Sequence, residues 1–174
     1  MHVYTSYDAV RLVLNGKIIG EQNVSPQTKL TATFNIHYEP GVLKAIGLQN
    51  GKAIDSSVLK TAGKPAHIRL VTDRTHIHTS KNDLAYVTAE VLDDKGQLVP
   101  NAALLLHFSI SSNGKIIATG NANPSDAESM QQPQHKTYEG KCLVIVQPKG
   151  NAGTIKLKAE GEGLQAGEVV IETK

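Results

Sequence analysis

His76-Ile77-His78 is the closest approach in this chain to a metal-ligand pair. Two imidazoles two residues apart share one face of an extended strand, which is how a two-histidine site would present them. A third ligand is not supplied nearby, and the same alternation turns Ile77 inward and both histidines toward solvent, so no metal is assigned. His37, His67, His107 and His135 are scattered. Acid–base hydrolysis needs two carboxylates about 5 to 10 Å apart, one holding its proton. Asp93 and Asp94 are adjacent but share a turn with Gly96, where solvation is expected, and Asp73, Asp83, Glu90 and Glu128 form no evident pair.

Nucleophile chemistry fares no better. Cys142 is the single cysteine, which excludes an internal disulfide and a cysteine-built zinc site. It alternates with Val144 and Val146 and reads as a small buried hydrophobe. No nucleophile elbow is present, no glycine pattern opens a helix toward phosphate, and Asn15-Gly16-Lys17 reads as a turn. The expectation is therefore no catalytic residue, no cofactor and no metal in this chain. Sugar stacking would fall to Tyr4, Tyr7, Tyr38 or Tyr138, because Trp is absent.

The elements that would hold such groups are strands. Period-2 alternation runs through the chain, broken at short intervals by turn dipeptides, and no apolar stripe of helical period persists over ten residues. Asn15-Gly16, Asn50-Gly51 and Asn113-Gly114 each read as a hairpin turn. Leu30, Ala32 and Phe34 mark a further strand, and Tyr38-Glu39-Pro40-Gly41 a turn before the next. About five strands are predicted before the connector Thr61-Ala62-Gly63-Lys64-Pro65-Ala66, and seven after it. The fold expected is all-β with no long helices: two tandem Ig-like β-sandwich domains, residues 1–63 and 64–174.

Composition narrows the partners. Eighteen basic and sixteen acidic residues give a net charge of +2 with no long run of one sign, which leaves no footprint for nucleic acid. No apolar stretch approaches the ~20 residues of a bilayer span, and Met1-His2-Val3-Tyr4 does not open a signal peptide. The one aperiodic segment, Asn121 to Lys136, is too long for an ordinary connection. Loops of that length in a small domain are usually functional or packed on a partner.

Several runs resemble the accessory domains that follow the catalytic barrel in glycoside hydrolase family 2 enzymes, the β-galactosidase group. In the first unit these are Leu14-Asn15-Gly16-Lys17, then Tyr38-Glu39-Pro40-Gly41 with Leu43-Lys44-Ala45 and Gly47, then the Thr61–Ala66 connector. In the second they are Ile68-Arg69-Leu70, Asp73-Arg74, Asp83 to Val87, Val99-Pro100-Asn101-Ala102, Gly120-Asn121-Ala122-Asn123-Pro124, Glu128 and Tyr138-Glu139-Gly140. The family usually carries Gly-Asn-Gly-Asp-Pro in that loop, so Ala122 and Asn123 depart from its pattern.

The resemblance implies a non-catalytic, C-terminal structural region of a larger enzyme that hydrolyses terminal β-galactosides or related glycosides with two glutamates on an absent barrel. It implies the barrel of the same parent chain as a partner, further copies of the protein and carbohydrate as candidate partners, and a periplasmic or extracellular parent. Within it, Asn121, Asn123, Pro124 and Glu128 are candidates for an interface or the rim of the substrate cleft. Two other readings compete: the Ig-like stalk of a bacterial surface adhesin, suggested by Asp93 to Val99 and Gly140 to Val144, and an independent carbohydrate-binding module.

Overall fold

A computed structural model describes all 174 residues, which separate into two units, Met1–Thr61 and Ala62–Lys174. Strands dominate both, and the one helical element is a single 3-10 turn, Pro26–Thr28.

The first unit contains β1 (His2–Tyr4), β2 (Ala9–Leu14), β3 (Lys17–Asn23), β4 (Thr31–Thr33), β5 (Val42–Gln49) and β6 (Lys52–Lys60). β3-β2-β5-β6 form a four-stranded antiparallel sheet, while β1 and β4 pair as a short ribbon. Val10, Leu12 and Ala45 from the sheet meet Ala32 and Phe34 in one core, each such apolar side chain of Val size or larger contributing roughly 1.5–3 kcal/mol. Asn15 and Gly16 take positive φ (50° and 82°), as do Asn50 and Gly51 (50° and 74°). Both are therefore mirror-image turns whose twist suits the hairpins β2–β3 and β5–β6.

Leu30 departs from the expected strand. Its amide donates to the Ser25 carbonyl at 3.1 Å, closing the turn around Pro26, and both Lys29 and Leu30 sit at positive φ (54° and 55°). Pairing thus begins only at Thr31, and Leu30 is exposed while Ala32 and Phe34 remain buried.

In the second unit the strands are β7 (His67–Thr72), β8 (His76–Ile77), β9 (Ala85–Leu92), β10 (Leu105–Ile110), β11 (Gly114–Gly120), β12 (Gln134–Lys136), β13 (Lys141–Pro148), β14 (Gly153–Gly161) and β15 (Gly167–Thr173). They form two sheets, β12-β10-β14-β15-β8 and β11-β13-β9-β7, antiparallel except for the β15–β8 pair. The count is nine rather than seven because β8 and β12 are two and three residues long, below what alternation can signal. Between the sheets lie Val87, Ala89 and Val91 of β9, Cys142, Val144 and Val146 of β13, Leu106 and Phe108 of β10, and Ile155 and Leu157 of β14. Every second residue of each strand is buried, the pattern of a sandwich whose strands expose one face.

Asn113-Gly114 is not a hairpin turn. β10 pairs with β12 and β14, whereas β11 pairs with β13 in the opposite sheet, so this dipeptide carries the chain from one layer to the other. Gly114 donates to the Ser111 carbonyl at 3.1 Å and is buried against Ile110 and Ile155. An Asn-Gly pair marks a tight turn in either topology, and the choice between them lies in the distant strands that β10 and β11 find.

Candidate functional site

β11 and β12 deliver the two ends of the long loop to the same edge of the second unit. Thr119, near the end of β11, is buried and its hydroxyl donates to the Gln132 carbonyl at 2.9 Å, while its amide donates to the Met130 carbonyl at 2.8 Å. Phe108 of β10 holds the far end by donating to the Pro133 carbonyl at 2.8 Å. The last three residues of the segment are strand β12, so only its earlier part is irregular.

Inside the loop, side chains replace the missing strand pairing. Asn121 donates from Nδ2 to the Lys136 carbonyl at 3.0 Å and accepts the Asn123 amide on Oδ1 at 2.8 Å. Asn123 accepts the Ser125 amide at 3.0 Å. Asp126 accepts the Glu128 amide on Oδ1 at 2.9 Å, and its Oδ2 accepts from His135 Nε2 at 2.7 Å. Glu128 in turn accepts the Lys136 amide at 3.1 Å, with the Lys136 ammonium 3.3 Å from its other oxygen. The contacts of Asn121, Asn123 and Asp126 with the amides two residues on are Asx-type turns in succession, each satisfying an amide that no strand serves.

Of the four residues singled out from the sequence, Asn121, Asn123 and Glu128 are pins of this network, while Pro124 is exposed and holds nothing visible. Asn123 does with its carboxamide oxygen what an aspartate could do with a carboxylate. Ala122 lies outside the set of positive-φ residues, so the family's glycine is not needed there. Sequence reading missed Asp126 and His135. His135 is 1% exposed, the buried member of Gln134-His135-Lys136, and the alternation of His135 with buried Thr137 was its only signal.

Asp126, Glu128 and His135 bring one nitrogen or oxygen each within 4.8 Å of one another. That is a metal-sized spacing, but the atoms are already committed to amides, to the imidazole and to the Lys136 ammonium. The amide of Glu128, followed by the His135 ring, holds the Asp126 carboxyl below the usual carboxylate range despite an opposing cost of burial. A carboxylate so held does not keep a proton for acid catalysis. The cluster acts as a latch on the loop.

Beside the latch a groove of about 700 Å³ crosses the outer face of the β11–β13 sheet. Asn121, Met130 and Tyr138 form part of its wall, with Ala118, Leu143 and Ile145 beneath. Cys142 contributes to the lining but faces the core, and burial pushes its thiol up to about 12, leaving it un-ionised and unreactive near neutral pH.

The remaining candidates are dispersed. His76 and His78 are both exposed with Ile77 buried between them, as alternation requires; His76 Nε2 lies 3.1 Å from Glu172, and the His78 amide binds Asp83. Asp83 also pairs with Arg74 at 2.8 Å, and Asp73 accepts the Tyr86 amide. Glu90 is flanked by Arg69 and Lys141; burial acts to raise its pKa, but these two cations outweigh it and the net direction is down.

Asp93 overturns the expectation of a solvated turn carboxylate. It is 2% exposed and accepts amides from Gly63, Lys95 and Gln97, which, led by Gly63, hold its pKa down. Asp94 beside it is exposed. The turn needs a buried acceptor because three amides converge on one point, and Asp93 supplies it.

Residues 68–170 match the model of glycoside hydrolase family 2 C-terminal domain 5, and residues 1–55 match a domain of unknown function (DUF4982). The chain is 40% identical over 93% of its length to β-galactosidase BoGH2A of Bacteroides ovatus, and 26% identical over 99% to a β-glucuronidase of Formosa agariphila. It covers 19% and 18% of those two proteins. A solved glycosyl hydrolase family 2 member from Bacteroides cellulosilyticus superposes with a TM-score of 0.95 at 35% identity, over 99% of this chain and 22% of that one. The chain thus spans about a fifth of the relatives it matches. With a domain model covering more than half of it and a relative at 40% identity along nearly all of it, the chain belongs to glycoside hydrolase family 2.

Proposed function

We propose that these 174 residues are a non-catalytic structural region of a glycosidase, and that the parent enzyme hydrolyses terminal β-galactosides or related β-glycosides on a barrel supplied elsewhere in the protein. The observation that carries this is the state of the two carboxylates that the loop brings together with a histidine. Asp126 and Glu128 are tied to amides, His135 and Lys136, and hold the loop in place of a substrate. The names of the relatives support glycoside hydrolysis by the parent and divide between galactoside and glucuronide substrates.

In this reading the loop from Asn121 to Lys136 packs on the barrel or on another copy of the enzyme, or forms the rim of the substrate cleft. A latched, rigid loop beside an apolar groove supports a contact role, because a surface that docks pays less entropy when it is already ordered. A periplasmic or extracellular parent is part of the proposal, a reading that rests on the resemblance alone. Aryl β-galactosides and β-glucuronides should be turned over by the full-length parent and left intact by the 174-residue chain. Shortening the loop in the parent should lower kcat/KM or shift the oligomeric state; unchanged kinetics and assembly would remove the contact role.

A further inference from the structure

The tripeptide Asn-Gly-Lys occurs three times, at Asn15-Gly16-Lys17, Asn50-Gly51-Lys52 and Asn113-Gly114-Lys115. The attacking glycine and the lysine after it are the same at all three sites, where Leu14, Gln49 and Ser112 precede, so a large difference in reactivity comes from the fold. The reaction open to all of them is intramolecular. The glycine nitrogen, losing its proton, attacks the asparagine Cγ; a C–N bond forms, the Cγ–Nδ2 bond breaks, and ammonia leaves. The resulting succinimide is opened by one water at either carbonyl, giving aspartate or isoaspartate. Both the carboxamide and the glycine nitrogen must be free to move.

We propose that Asn50 is the site of spontaneous deamidation in this protein and that the other two are protected, each by a different device. At Asn15 the carboxamide is clamped: Oδ1 accepts the Val42 amide at 2.8 Å and Nδ2 donates to the Pro40 carbonyl at 3.0 Å. Cγ cannot swing onto Gly16 without breaking both bonds. At Asn113 the nucleophile is held instead. The Gly114 amide donates to Ser111 at 3.1 Å, and the residue is buried against Ile110 and Ile155 at the start of β11.

Asn50 has neither restraint. It is exposed, its side chain makes no hydrogen bond, and nothing lies within 4 Å of where a Gly51 side chain would begin. Its own amide donates to Asp8 Oδ2 at 2.9 Å, which fixes the backbone and leaves the side chain free. Conversion places a new carboxylate next to Asp8, and the isoaspartyl form adds a methylene to the backbone of a two-residue turn, which breaks the geometry that sets the hairpin register. The hairpin is vulnerable there because all nine residues of β6 are exposed and β5 is its partner in the sheet. Ageing at Asn50 would thus loosen β6 at its attachment to β5.

The test follows the intact chain in mildly alkaline buffer, with trypsin digestion at intervals and mass spectrometry. The three sites fall in separate peptides, residues 12–17, 45–52 and 96–115. Two hydrogen bonds of ordinary strength predict conversion at Asn50 roughly tenfold or more ahead of Asn15, with Asn113 also lagging, and convergence of the three rates in denaturant. Asn50→Gln should remove the acidic species that accumulates. If Asn15 or Asn113 keeps pace with Asn50 in the folded chain, or if the order persists unchanged in denaturant, the assignment is wrong.

Discussion

His135 Nε2 donates to Asp126 Oδ2 at 2.7 Å, joining a ring that is 1% exposed to a carboxylate nine residues earlier in the chain. With the bonds from Asn121 and Glu128 to Lys136, it closes the irregular part of the loop onto strand β12. It joins the middle of a segment with no sheet pairing of its own until Gln134 to the strand that ends it.

Removing the ring should therefore loosen the loop as a body. His135→Ala leaves a cavity and takes the imidazole from Asp126 Oδ2, and a loss of about 1–3 kcal/mol in the unfolding of the second unit is expected. Urea unfolding monitored separately for the two units reads this, because the first unit should keep its midpoint. Faster amide exchange at residues 121–133 should accompany it.

Acid should weaken the second unit through its held carboxylates. Asp93 and Asp126 both have folded pKa values below their ordinary 3.8. A depressed folded pKa stabilises fully above the unfolded value, and that contribution is lost as pH falls through the folded one. Stability of the second unit should thus stay flat from neutrality to roughly pH 5 and fall below about pH 4. Asp93→Asn should flatten that fall while lowering stability at neutral pH, and midpoints measured along a pH series test both signs.

Gly140 tests the backbone at the start of β13. Its φ is +76°, and an added Cβ would collide with the Val99 carbonyl oxygen. Gly140→Ala should cost about 1–3 kcal/mol. Gly120 has open space and ordinary φ, so Gly120→Ala should fall within about 0.5 kcal/mol of the parent chain in the same denaturation experiment.

Cys142 provides a probe of core opening. With its thiol pushed up to about 12 by burial, alkylation by iodoacetamide near neutral pH should be slow in the native chain and rapid in denaturant. A native rate matching the denatured one would place the side chain on the surface instead.

Much of the fold was legible because strands announce themselves locally. Asn15-Gly16 and Asn50-Gly51 form the expected hairpins, and the alternation around Cys142 put that residue on the buried side. What local pattern could not give was partnership at a distance. Asn113-Gly114 carries the same dipeptide as the hairpins and crosses between sheets, because the choice is made by β13 and β14 far along the chain. Asp93 looked like any turn aspartate, since the Lys95 and Gln97 amides it accepts are local and only the Gly63 amide, thirty residues earlier, marks it as buried. The loop was recognisable by its lack of period, and Asn121, Asn123 and Glu128 were found within it. Asp126 and His135 were not, because their pairing exists only once β12 is seated beside β10.

Whether these residues are a structural region of a larger family 2 glycosidase can be read from the source DNA immediately upstream of the codon for His2. An open frame should continue back through a barrel domain carrying two catalytic glutamates. A native start at Met1 with no such barrel encoded in frame, or an upstream array of Ig-like repeats, would contradict it.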